Sequence, residues 1–199
     1  MPEAEALLRK GLTLVSHVAD SDHRKEHELD LQIALGLALS QTQGFHAHAA
    51  GDAYSRARQL CDELKRPRKL LPILYGQWVN SYARAELDRA EQFATEILSL
   101  GELADDVITR VVGYRVTGGT SLFRGDFPIA RSSLEQGLKL YDPSQRSSIK
   151  HFRCATRLLP RHATLRTRPR SLTCSGVPGG PVGVLTPTLR SCCHTWTNL

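Results

Sequence analysis

The sequence predicts an all-α chain of stacked antiparallel helix pairs, followed by a basic tail of a different kind. Three observations carry that expectation. Apolar residues recur at helical spacing through residues 1–146, one segment of this half recurs twice further along, and composition breaks near Lys150. No stretch alternates with period two for long enough to argue a sheet. The 199 residues allow one domain with a modest core.

The helices follow in order from the apolar spacing. Leu7-Leu8-Arg-Lys-Gly11-Leu12-Thr-Leu14 reads as the second helix of a pair whose first helix is missing. In EHELDLQIALGLAL, Leu31, Ala34, Leu35, Ala38 and Leu39 share one face. Ile33 and Leu37 add a second stripe, which predicts burial on two sides. Gly44 and Gly51–Asp52 mark a turn region before the helix AYSRARQLCDEL. Pro67 and Pro72 bracket the next break, since proline suits a helix's first turn and not its interior. After them come LLPILYGQWVNSYARAE, LDRAEQFATEILSL, DDVITRVVGYRVTGGTSLFRG and DFPIARSSLEQGLKLYD, the last stopped by Pro143.

The second helix of each pair repeats. The run from Tyr54 to Leu64 aligns with Leu87 to Ile97 and with Phe127 to Leu138. The alignment sets Ala57, Ala90 and Ala130 at one small position, where a short side chain lets two helix backbones approach. In the third unit Gly118, Leu122, Gly125, Phe127, Ala130 and Leu134 fall at the small and large positions of the tetratricopeptide repeat, which this half resembles. The second unit keeps Ala90 and Phe93 but has Ala85 where a turn glycine is usual. ELDLQIALGLAL, AYSRARQLCDEL and FRGDFPIARSSLEQGLKLYDP further resemble the repeat region of large bacterial signalling proteins. In those proteins a class III nucleotide cyclase and an AAA-type ATPase module precede tetratricopeptide-like repeats. The resemblance covers about residues 5–150 and implies a three-and-a-half-pair helical solenoid. No cyclase or ATPase motif accompanies it.

The tail, residues 147–199, contrasts with everything before it. Residues 1–150 carry 19 Lys+Arg against 20 acids, a net −1, whereas 151–199 carry seven Arg, no Lys and no acid. Four of the five Cys and five of the ten Pro also lie in that last stretch. Such a composition cannot make an ordinary amphipathic helix and predicts disorder. It points to a change of reading frame near Lys150, and so to a gene fragment, with a genuine basic tail as the alternative.

Chemical candidates are scattered singles. His151, Cys154, His162, Cys174, Cys192, Cys193 and His194 lack the paired spacing of structural zinc sites. His23 and His27 stand four apart among charged residues, and His46 and His48 have no carboxylate at ligand spacing. The glycines of GYRVTGGTSLFRG are not followed by Lys-Ser/Thr and follow no strand, so they read as helix-packing residues rather than a phosphate loop. Asp105–Asp106 suit the start of a helix, and Cys61 suits a small core position. The sequence therefore predicts no active site, no metal and no cofactor.

The functional expectation is a non-catalytic interaction or regulatory module that binds a protein or peptide partner, or the cyclase and ATPase modules that the resemblance implies. Its groove would be lined by the first helices of the pairs, with Gln77, Asn80 and Arg115 as candidate groove residues. The alternative is a nucleic-acid-binding protein acting through the Arg-rich tail, helped by KRPRK at 65–69. The acidic, helical N-terminus is unlike a signal peptide, and no apolar run approaches the roughly 20 residues needed to cross a bilayer. A cytoplasmic location follows as the expectation. Terminal helices without polar caps should expose leucines such as Leu134 and Leu138 and promote self-association.

Overall fold

The computed structural model describes residues 2–142, and within them the chain forms seven α-helices and no strand. They are α1 (Pro2–Val15), α2 (Ser21–Thr42), α3 (His48–Glu63), α4 (Leu70–Ala83), α5 (Leu87–Leu103), α6 (Val107–Arg124) and α7 (Phe127–Leu140). A single 3₁₀ turn, Pro67–Lys69, leads into α4. Every helix packs on the next in sequence, and α2, α4 and α6 also pack on one another in that order. No described helix is long and apolar enough to cross a membrane.

Four of the six connections are the same turn. Lys65, Ala85, Asp105 and Gly125 all adopt left-handed backbone, with φ of 51°, 59°, 48° and 86°. They fall at twenty-residue intervals, one after each of α3 to α6. At each, the following amide reaches back over the helix end. Arg66 donates to the Cys61 carbonyl (3.1 Å), Glu86 to Ser81 (2.9 Å), Asp106 to Gly101 (3.0 Å) and Asp126 to Ser121 (2.9 Å). This is the Schellman closure, which satisfies the orphan carbonyls of a helix end. Glycine fits it best, yet three of the four positions carry a Cβ.

Between these turns the helices close on each other through small residues. The Tyr54 ring, from α3, is wedged between α2 and α4: a Cβ added at Gly36 or Gly76 would meet it at 2.8 and 2.3 Å. Across α5 and α6 the backbones themselves touch, since a Cβ at Gly101 would stand 2.7 Å from the Arg110 amide nitrogen. One at Gly113 would stand 2.9 Å from the Leu98 Cα. Ala57, Ala90 and Ala130 are each completely buried. Leu29, Ala57, Leu60, Cys61 and Ile73 form one core shared by α2, α3 and α4. Leu35, Leu39, Ala50 and Ala53 form another, closed by Leu8 and Leu12 of α1.

Three expectations change. Leu37 is 44% exposed, so it does not join Ile33, which packs on the core, in a second buried stripe of α2. Gly51 lies inside α3 rather than in the turn before it. Leu134 is only 6% exposed because it fills the space that Gly118 leaves on α6, and Leu138 is half-buried. Among the described residues the large exposed apolar side chains are instead Leu7 and Leu14 on α1, Leu37 and Leu103, and Phe123, Phe127 and Ile129 around the α6–α7 turn.

The repeated turn makes a quantitative prediction. A Cβ in left-handed backbone costs about 1–2 kcal/mol, and glycine gives back about 0.4–1 kcal/mol through the unfolded chain. Ala85→Gly should therefore raise unfolding stability by about 0.5–1 kcal/mol in urea denaturation, and Gly125→Ala should lower it by about 1 kcal/mol. Asp105→Gly should gain less, because aspartate tolerates this region and here also pairs with Arg110 at 3.3 Å. Equal and small effects at Ala85 and Gly125 would contradict the assignment.

Candidate functional site

The row of packed helices α2, α4 and α6 is the place where the candidate residues fall. Helix α4 sits at its middle, and every residue from Ile73 to Ser81 is buried. On α4, Tyr75, Trp78 and Tyr82 recur at helical spacing, and they build a seam against α6. Tyr75 and Trp78 rings lie 5.7 Å apart, Trp78 stacks on Tyr82 at 4.9 Å, and Tyr82 meets the edge of Phe123 at 4.8 Å. The Trp78 indole donates to Thr120 Oγ1 at 3.0 Å, while the Thr120 hydroxyl donates to the Val116 carbonyl at 2.9 Å. Aromatic rings give this seam large contact area, and their polar ends need partners once buried.

The three groove candidates are buried rather than presented to solvent. Gln77 is 9% exposed, Asn80 8% and Arg115 9%. Arg115 donates from Nη2 to the Tyr75 hydroxyl at 2.8 Å, and its guanidinium lies 5.4 Å from the Tyr75 ring centre, a cation–π contact. Asn80 has a different task. Its amide donates to the carbonyls of Phe45 (2.8 Å) and Ala47 (2.9 Å), clamping the α2–α3 connection from α4. Gly51 makes room for it, since a Cβ there would stand 2.8 Å from Asn80 Oδ1. Among the described residues the buried Gln77 Oε1 accepts no hydrogen bond. The reading of the sequence missed this seam, which the Tyr75, Trp78, Tyr82 spacing could have signalled, and nothing in the sequence pointed to the Asn80 clamp.

The remaining candidates resolve into local structure. Asp106 caps α6, accepting from the amides of Ile108 and Thr109 at 3.2 Å each, and also from the Thr109 hydroxyl. Gly113 and Gly118 are contact points for α5 and α7, so the glycine-rich stretch is packing surface. Cys61 is buried and donates to the Arg66 carbonyl at 3.1 Å, and burial pushes its thiol pKa up, which disfavours the reactive thiolate. No described group of His, Cys, Asp and Glu could hold a metal ion. His27, His46 and His48 are exposed, and the ring of His48 accepts from Arg84. His151, Cys154, His162, Cys174, Cys192, Cys193 and His194 lie outside the described residues, as does the rest of the Arg-rich tail.

Among the described residues, charge at the surface is largely paired. Within KRPRK, Arg66 bonds Glu26 (3.1 Å) and Lys69 bonds Asp30 (2.6 Å). Lys25 pairs with Glu63 at 2.7 Å nearby. Asp22, His23, Lys25, Glu26, Glu63, Lys65 and Arg66 thus line a shallow polar cleft of about 370 Å³. Asp20 caps α2 through the amides of Asp22 and His23 and holds the His23 ring at 2.7 Å. That side-chain hydrogen bond raises the His23 pKa above 6.5 and lowers that of Asp20 below 3.8.

No known family model, no curated protein and no solved structure matches this chain.

Two measurements follow from these contacts. Asn80→Ala leaves the Phe45 carbonyl without its donor, while that of Ala47 keeps the amides of Ala50 and Gly51, and should cost about 1–3 kcal/mol, with faster amide exchange confined to residues 44–51. Stability unchanged by this substitution would remove the clamp. For the α2 cap, the His23 contribution is complete below pH 6.5 and fades as pH rises through the raised folded value, while the Asp20 contribution fades as pH falls below 3.8. Their joint effect is greatest between those limits. In an NMR titration the His23 midpoint should lie above 6.5 and fall in Asp20→Asn; a midpoint unmoved by the substitution would contradict the pairing.

Proposed function

We propose that residues 2–142 form a tetratricopeptide-like helical-repeat module that binds a protein or peptide segment and performs no chemistry of its own. The observation that carries this reading is the inner row: α2, α4 and α6 pack on each other as well as on their sequence neighbours. Stacked pairs with one shared row of first helices are how helical solenoids make an extended binding surface. The resemblance to the repeat region of cyclase–ATPase signalling proteins extends the proposal to a regulatory role beside such modules in the cytoplasm, with this chain a piece of a larger protein. Binding by this surface would run along the inner row, from the exposed Leu37 of α2 toward the exposed Phe123 of α6.

A second reading is nucleic-acid binding through residues 151–199, and their seven Arg without a single acid favour it. The ion pairs of Arg66 and Lys69 weigh against a contribution from these two residues of KRPRK.

Both readings are tested on the full chain. Selection from a displayed library of random peptides should yield ligands whose affinity changes little with salt and whose binding slows amide exchange in α2, α4 and α6. A labelled DNA duplex should bind no better than about 10⁻⁴–10⁻⁶ M, the range of non-specific contacts, and lose affinity steeply between 50 and 200 mM salt. Failure to select any peptide, together with tight duplex binding that survives salt, would overturn the module and favour the tail.

A further inference from the structure

We draw no further inference here: the strongest candidate, the apolar face of α1 that carries the exposed Leu7 and Leu14, is an unpartnered helix surface, and nothing in the structure shows what covers it.

Discussion

Close approach of helix backbones is the constraint on which the remaining structure depends. A helix surface studded with leucines holds its neighbour about 8–10 Å away, and a glycine at the crossing brings it nearer. In this chain the glycines stand at the crossings. Gly36 and Gly76 admit one tyrosine ring between two helices, Gly101 and Gly113 let α5 and α6 touch along their backbones, and Gly118 receives Leu134. Each such glycine costs its own helix about 0.5–1 kcal/mol relative to alanine. The packing they permit offsets that cost, and it also fixes register, because a shift by one residue would bring a side chain to each crossing.

Turn geometry transmits this register along the chain. Left-handed closures recur every twenty residues from Lys65 to Gly125. The α2–α3 connection breaks the rule. It turns at Gly44 and is held by the Asn80 amide from the next pair. Surface ion pairs such as Arg124 with Asp88 (2.9 Å) and Glu91 (2.7 Å) join neighbouring helices as well. Exposed pairs of this kind contribute about 0–1 kcal/mol each, too little to set the arrangement.

Much of this was legible in the amino-acid order, and the misses have physical causes. Helical periodicity located all seven helices, and the small positions at Ala57, Ala90 and Ala130 are buried as a packing role requires. The left-handed turns at Lys65 and Asp105 were hidden, because the chain's path imposes φ there and neither residue announces it. Gly51 was misread as a turn glycine because its purpose, space for Asn80, lies 29 positions away in sequence. Leu37 was read as core because periodicity marks apolar positions without saying which of two faces has a neighbour. For the site, sequence pointed to polar residues on the inner helices but could not say that Gln77, Asn80 and Arg115 would be covered. Arg115 joins α6 to α4 through the Tyr75 hydroxyl, and Asn80 ties α4 to the α2–α3 connection.

Two glycines on the same helix separate close packing from helix propensity. A Cβ at Gly113 would press on the α5 backbone at 2.9 Å, whereas one at Gly119 would meet only Trp78 Cζ2 at 3.8 Å, an ordinary contact. Urea denaturation of Gly113→Ala and Gly119→Ala compares them directly. Gly119→Ala should raise stability by about 0.5–1 kcal/mol from propensity, and Gly113→Ala should lower it by about 1–3 kcal/mol through overpacking. A stabilising effect at both positions would mean that α5 and α6 do not meet at Gly113, and the packed helical stack would not stand as described.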